Sequence, residues 1–440
     1  MSTPVPSERW VGSWLALTVG ALLLRVYYTA LAVVDNPLRA DAGQYFRVAL
    51  NVVLHGTYST ASPDAASVPP DSYRAPGYPT LIAVLFWLDG DGSYDALLAI
   101  QCVLGACTVG FSILLASRMM PKNYAFATGV LVGVWPHLIT MGGYALTETL
   151  FGFLLSASAW LVVKALERPK IGITLLAGMC LAAAALVNQI ALCLAPLIAL
   201  SFTKRDWKVW VFLAAALAPP LLWSVRDSQI QSPAGLSASS RLMENVLIGM
   251  EPDFVPRYKP EAGIPTAVVA RERISAGLNA YSVDSKKAVY DIWKRMSERP
   301  IYYLVWYLTK PEQFWSWSIV QGQGDIYEYP MLVAPFNSSF PLRLIASVCR
   351  GLNPLLMLAA LGGAILTFAG KAPLRSAPAN TVVVLIAVYA TVIHSILTPD
   401  VRYSIPFRPF EIILAMLATR SAMVLLAKVV RSQKALQSTP

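Results

Sequence analysis

Residues 35–59, DNPLRADAGQYFRVALNVVLHGTYS, followed after a polar spacer by SYRAPGYP at 72–79, form the first long polar interruption after an apolar N-terminal run. Asp41 stands four residues before Tyr45, so on a helix the carboxylate and the phenol share one face. Tyr45, Val48, Ala49, Val52 and Val53 recur at i, i+3, i+4, i+7 and i+8, which predicts an amphipathic helix with Arg47 and Asn51 turned away from its apolar face. Pro76 and Pro79 then break the chain. Acid, base, aromatic ring and proline are concentrated in a segment built to lie at a membrane face.

The surrounding chain makes that setting necessary. Of 440 residues, 56% are hydrophobic and 14% charged, against roughly 45 to 50% apolar in a soluble domain. The formal charge of +10 is spread over short basic clusters between apolar runs, a topology signal and not a nucleic-acid patch. Cys102, Cys107, Cys180, Cys193 and Cys349 fall in or beside apolar runs with no C-x-x-C spacing, which predicts buried thiols. Trp14 to Leu24 with Ala30-Leu31-Ala32 could be read as a signal peptide. Arg25 interrupts that pattern, and the segment is expected to stay as a helix with Arg25 snorkelling to the outer interface beside Tyr27 and Tyr28.

Apolar stretches long enough to span lie at roughly 10–30, 95–117, 123–140, 146–166, 171–188, 190–203, 207–225, 342–368, 379–398 and 404–427, with 77–88 a shorter, half-inserted helix. The basic residues occupy alternate loops: Arg118 and Lys122; Lys164, Arg168 and Lys170; Lys204, Arg205 and Lys208; Lys371 and Arg375; Lys428, Arg431 and Lys434. By the positive-inside rule both termini are cytoplasmic, while loop 35–79, the region 226–341 and the turn 398–403 face outward. The expected organisation is a transmembrane core at 1–225, an extracytoplasmic region with interfacial helices at 226–341, and closing transmembrane helices with a cytoplasmic tail at 342–440. In the middle region Val289, Ile292, Trp293 and Met296 share a predicted face, and a helix is expected from Pro300. Tyr302, Tyr303, Trp306, Tyr307, Phe314, Trp315 and Trp317 read as an interfacial aromatic belt.

The opening stretch also carries a resemblance. Asp41-x-x-x-Tyr45, Ala49, Gly56-Thr57-Tyr58-Ser59 and Tyr73-Arg74-Ala75-Pro76-Gly77-Tyr78-Pro79 together resemble the first extracytoplasmic loop of bacterial GT-C membrane glycosyltransferases, relatives of protein mannosyltransferases and aminoarabinose transferases. Thr147-Glu148-Thr149-Leu150, Trp223-Ser224-Val225-Arg226-Asp227 and Arg402-Tyr403-Ser404-Ile405-Pro406 extend it over the membrane core. It is weak between about 236 and 340. The resemblance implies an all-α polytopic helical bundle in a bacterial inner membrane. The implied reaction moves a sugar from a polyprenyl-phosphate donor, with inversion, to a glycan, lipid or protein acceptor on the outer face.

Such a transfer needs a base or polarising group for the acceptor, cations for the leaving phosphate and a lipid groove. On position alone Asp41 is as readily a helix N-terminal acid; with the resemblance it becomes the catalytic carboxylate, with Tyr45 one turn away. Asp35, beside Asn36-Pro37, reads as a turn former. Glu148, at the outer end of a span, needs a partner and is either a structural ion pair or part of the acceptor site. Arg74, Arg402 and Tyr403 are the expected donor-phosphate contacts, guanidinium being suited to phosphate oxygens. Arg226 and Lys310 are weaker candidates, and each arginine could instead hold helix ends near headgroups. His55, His137 and His394 are scattered and read as structural. No cofactor is required and a divalent cation is possible, although no acidic pair or histidine cluster accompanies Asp41 and Asp89-Gly90-Asp91-Gly92 reads as a turn. The competing function class is a transporter or flippase; few ionisable residues lie deep in the spans.

Overall fold

The computed structural model describes residues 8–90, 93–168, 170–202, 206–233, 235–252, 265–370 and 376–437. The chain is a helical bundle. Helices α1 (Glu8–Leu31), α2 (Ala40–His55), α3 (Gly77–Asp89), α4 (Ser93–Met119), α5 (Lys122–Val134), α6 (Glu148–Glu167), α7 (Ile171–Val187) and α8 (Lys208–Gln229) form the first part. The middle region holds α9 (Ala238–Met250), α10 (Pro265–Val283), α11 (Ser285–Glu298) and α12 (Pro300–Trp315), and α13 (Phe340–Phe368), α14 (Ala377–Ile396) and α15 (Arg408–Gln437) close the chain. Side-chain caps form at several helix starts: Ser237 accepts from the Ser240 amide, Asp284 from Lys287 and Ser376 from Ala379.

Seven helices are long and apolar enough to cross a bilayer, and α5 with the following helical segment makes an eighth if the bent pair counts as one span. This multi-pass membrane bundle corrects the ten expected stretches in three places, the first being 171–188, whose helix Ile171–Val187 is one of the shorter apolar helices and not one of the seven. The 123–140 run bends by 55°, where Pro136 lacks an amide and restricts Trp135 before it. The 190–203 run is a 3₁₀ turn, Gln189–Cys193, and a single short helix, Leu194–Ala199, too short to span. Leu355, Leu358 and Leu361 stay exposed on α13, as a lipid-facing helix requires. Gly178 lets α7 approach the Phe212 carbonyl of α8, where a Cβ would sit 2.7 Å from that oxygen.

The two ends of α6 meet different parts of the chain. Glu148 at the start of α6 bonds to Arg402, while Glu167 at its end takes Arg118 from α4 and the Ser376 hydroxyl from α14. The 20 residues between rise about 30 Å, one hydrocarbon thickness. Lys204, Arg205, Lys371, Arg375, Asp91 and Gly92 lie outside the described residues.

Several expected faces are corrected. Arg25 does not snorkel; it is 1% exposed and donates to the carbonyls of Ala21 and Gly133. Asn51 is buried, donating to Ser59 and Ala61 carbonyls, while Val52 and Val53 are exposed. The returning loop needs donors for its carbonyls more than α2 needs two further valines. On α11 the predicted face splits, with Val289 and Trp293 exposed and Ile292 packed on a small outer cluster. The aromatic belt is largely internal: Tyr303, Trp306, Phe314 and Trp317 are buried. Cys193 is exposed rather than buried.

A two-stranded sheet ties the outer region to the opening loop. β1 (Val33–Val34) pairs antiparallel with β2 (Met331–Val333), and the Asp35 amide donates to the Pro330 carbonyl. This staple brings the 319–330 loop against the start of α2.

Candidate active site

Asp41 lies in the first turn of α2, where the helix dipole favours a negative charge. Loop 56–76 is folded to aim Arg74 at it. Asp71 accepts from the Thr60 amide and hydroxyl, both at 2.6 Å, and the Tyr58 hydroxyl donates to the Arg74 carbonyl at 2.9 Å. The Arg74 guanidinium lies over the Tyr45 and Tyr73 rings at 4.9 and 5.2 Å. Its Nε donates to Gln44 Oε1 at 2.6 Å, one Nη to the Tyr45 hydroxyl at 3.4 Å, and the other to Asp41 Oδ1.

Arg402 approaches from the turn between α14 and α15. Asp400 fixes that turn, one carboxylate oxygen accepting from the Arg402 amide at 2.8 Å and the other from the Gln321 amide at 3.1 Å. The Arg402 guanidinium then serves three carboxylates: Glu148 through Nε, Glu328 through Nη1 at 3.0 Å, and Asp41 Oδ2 through Nη2 at 3.1 Å. Asp41 thus bridges two guanidiniums that arrive from opposite ends of the sequence.

Burial alone would raise Asp41, but Arg74 and Arg402, with Arg241 further off, outweigh it and hold the carboxyl well below the usual range. Arg74 is held charged in return. Glu328 goes the other way: burial, joined by the charges of Asp400, Glu148 and Asp41 and opposed by Arg402, pushes it up to about 7. Asp41 keeps 29% of its side-chain surface exposed, whereas Glu328 keeps 7%. The two guanidiniums favour the charged form of Asp41, which keeps part of its surface exposed and is a weak proton acceptor.

Beside this cluster opens a cavity of about 620 Å³. Leu186, Ile190, Leu192, Ile393 and Leu397 supply apolar wall from α7, the turn after it, α14 and the turn beyond, and Tyr45, Tyr73, Tyr403 and Arg241 also line it. Tyr403 stacks on His394, rings 5.5 Å apart and 14° from parallel. Arg241, on α9, lies over Tyr73 at 5.5 Å. Among the described residues it forms no ion pair with a carboxylate, whereas every guanidinium nitrogen of Arg74 and Arg402 is engaged.

Of the residues named from sequence, Asp41, Tyr45, Arg74, Glu148 and Arg402 converge, and Tyr403 lies beside them in the cavity wall. Glu148 has the partner its position demanded. Asp35 is exposed on the approach to α2. Arg226 is spent on the Asp71 carbonyl and Asp227, and Lys310 is buried with its ammonium donating to the Leu397 carbonyl. His137 and His394 hydrogen-bond to carbonyls of Trp317 and Thr398, and His55 to Pro63. Gln44, Arg241 and Glu328 escaped sequence reading; Gln44 alone lay in the quoted stretch, and nothing in the spacing of the other two points to Asp41. Among the described residues no three His, Cys, Asp or Glu side chains converge to hold a metal ion; the cation among the carboxylates is Arg402.

No family model and no curated protein matches this sequence. Solved structures do. The Archaeoglobus fulgidus oligosaccharyltransferase in its apo form aligns at a TM-score of 0.53 and 14% identity, over 98% of this chain and 52% of that one. The archaeal oligosaccharyltransferase AglB of that organism, in complex with an inhibitory peptide and a dolichol-phosphate, aligns at 0.50 and 13% identity, over 97% and 52%. ArnT from Cupriavidus metallidurans, bound to undecaprenyl phosphate, gives a looser overlay at 0.36 and 14% identity, over 95% and 79%. The chain spans about half the length of the oligosaccharyltransferase, and its fold is that of the GT-C membrane glycosyltransferases.

Proposed function

We propose that the protein is a GT-C glycosyltransferase that moves a sugar, with inversion at the anomeric carbon, from a polyprenyl-phosphate donor to an acceptor hydroxyl on the extracytoplasmic face of a bacterial inner membrane. The observation that carries this is the placement of one partly exposed carboxylate, Asp41, between two guanidiniums, next to a cavity whose lining includes Tyr45, Tyr73, Tyr403 and Arg241. The archaeal enzyme with the same fold was solved with a dolichol-phosphate, which supports a polyprenyl phosphate as the lipid.

In this reading the prenyl chain lies along the apolar wall and its phosphate meets Arg241 first, the cation on that wall that forms no ion pair with a carboxylate among the described residues. Arg74 and Arg402 join when the phosphate competes with Asp41 for their N–H groups, and Tyr403 closes the same corner. Charge leaving with the phosphate is then met by preorganised guanidiniums in a dehydrated setting, the arrangement that lowers such barriers most. Asp41, released in part, orients and polarises the acceptor hydroxyl opposite the departing phosphate, with Tyr45 beside it and Glu148 behind Arg402. The acceptor is a surface glycan, a lipid or a protein.

Mass spectrometry of lipid-linked sugars and surface glycans, in cells with and without the gene, tests the reading. An accumulating polyprenyl-phosphate sugar together with a lost glycan modification names both substrates. Unchanged pools on both sides would remove the transferase reading.

A further inference from the structure

The transfer leaves one apolar surface unused. On α11, Lys286, Val289, Tyr290 and Trp293 stand at i, i+3, i+4 and i+7 and share a face; all four are exposed, Trp293 at 66%. Along one edge of that face Ala288 and Ile292 turn inward. Along the other edge lie Lys287 and Lys294, both exposed, and beyond them Asp284, Asp291 and Glu298 at i, i+7 and i+14. Around the helix the order is packed, aromatic, basic, acidic. A helix lying on a bilayer needs this order, with its rings at the acyl boundary, its lysines among the phosphates and its acids in water.

The next helix extends the surface. Ile301, Leu304, Val305 and Leu308 repeat the same spacing on α12 and are all exposed, Ile301 at 76%. Trp315 Nε1 donates to Thr391 Oγ1 at 2.9 Å and Lys310 Nζ to the Leu397 carbonyl at 3.1 Å. α12 therefore runs antiparallel to α14 and passes its end by residues 300–309, about 15 Å. Asn353 of α13 donates to the Trp315 carbonyl at 3.2 Å. α13 and α14 are joined at their other ends by residues 369–376, so the start of α13 rises on the same side as α12. It climbs about 20 Å from Asn353 to Phe340, with Val348, Leu344 and Phe340 exposed. Ile301 stands about 20 Å above Trp315 by the same count. Two apolar stripes on separate helices thus reach one height, as a single apolar medium covering both requires.

We propose that α11 and the first half of α12 form a membrane foot, seated in the headgroup layer on the face of the bundle that carries Asp41, and that the foot binds anionic phospholipid through Lys286, Lys287 and Lys294. Among the described residues none of these lysines forms an ion pair with a carboxylate, so their charge is offered to the surface below. The foot is tied to the cavity. Arg295 of α11 pairs with Glu251 at 2.9 Å, and Trp306 of α12 donates to the Gly249 carbonyl of α9 at 2.8 Å. α9 also carries Arg241 in the cavity wall, so contact with headgroups sets the height of that wall over the bilayer. The proposal is independent of the transferase reading.

The test places the photo-crosslinking amino acid benzoylphenylalanine at position 293 of the full-length protein. Irradiation is carried out in intact cells and in nanodiscs of mixed phosphatidylcholine and phosphatidylglycerol, and adducts are read by mass spectrometry. Phospholipid adducts should dominate in both. In nanodiscs phosphatidylglycerol should be captured about fivefold above its share of the lipid, as one lysine's attraction to an anionic surface implies. That excess should vanish at about 1 M salt and in a Lys286→Gln, Lys287→Gln, Lys294→Gln variant, while arginine at the three positions should keep it. Thermal unfolding of each variant reports whether the fold is kept. Adducts to a second copy or to another protein, or no adduct at all, would show that lipid does not cover this face. Lipid adducts in the bulk ratio, or an excess that survives in the folded glutamine variant, would equally overturn the proposal.

Discussion

Replacing Asp41 by Asn separates two consequences that most site mutations confound. The side chain accepts one charge-assisted hydrogen bond from Arg74 and one from Arg402, each worth about 1.5–3 kcal/mol. A donor phosphate that needs those guanidiniums must compete with Asp41 for them. Asparagine keeps the shape and one acceptor oxygen but removes the charge, so the competition weakens, and about 1.4 kcal/mol of it corresponds to a tenfold change in affinity. Undecaprenyl phosphate should therefore bind Asp41→Asn as tightly as wild type or up to about tenfold more tightly. Turnover should nevertheless fall by at least about 10², because the charge that orients the acceptor hydroxyl is gone. The fold should tolerate the change, since Arg74 keeps Gln44 and Tyr45 and Arg402 keeps Glu148 and Glu328. Binding of labelled undecaprenyl phosphate in nanodiscs and transfer by the same preparation read both quantities. Turnover within about threefold of wild type, or weakened lipid binding in a folded variant, would show that Asp41 is a structural brace and not the centre of the site.

Other expectations follow from the same geometry. Arg241→Ala should weaken undecaprenyl phosphate binding by about ten- to a hundredfold, with Arg241→Lys restoring part of it, as loss of a guanidinium–phosphate contact implies; undecaprenol, which lacks the phosphate, should bind both variants alike, and equal loss for both lipids would reassign Arg241 to packing. An impermeant thiol reagent should label Ser285→Cys in intact cells and Asn123→Cys only after lysis, because the basic loops are expected inside; the opposite pattern would invert the orientation. Lys310, buried against Leu397, is pushed down to about 7 by its burial. Its unfolded value is about 10.4, so the unfolded chain takes up the proton first and stability should fall as pH drops from about 10 to about 7, then level off. Lys310→Met should remove that slope in detergent denaturation measured across the range, and an unchanged slope would mean the ammonium stays charged in the fold.

What the sequence showed and what it hid divide along a physical line. Periodicity, apolar length and alternate basic loops are local signals, and they placed the membrane helices, the helix on Asp41 and the loop that returns with Arg74. A guanidinium's partners are not local. That Arg402 would meet Asp41 across 361 positions, together with Glu148 and Glu328, depends on how all the helices between them pack and on the strand pair that brings 319–330 to the start of α2. Arg25 misled for a related reason. In isolation an arginine near a helix end is cheapest in headgroups, but here Gly105 leaves room against its side chain and the Gly133 carbonyl is offered to it, so burial on carbonyls replaced snorkelling. Glu328 is the extreme case: an ordinary acid in a weakly patterned loop, whose proton affinity is raised by burial and by carboxylates from elsewhere in the chain, against the opposing charge of Arg402. The residues that bind charge to charge could be nominated by type and position. The carboxylate whose proton affinity is raised by its neighbours exists as such only in the folded protein.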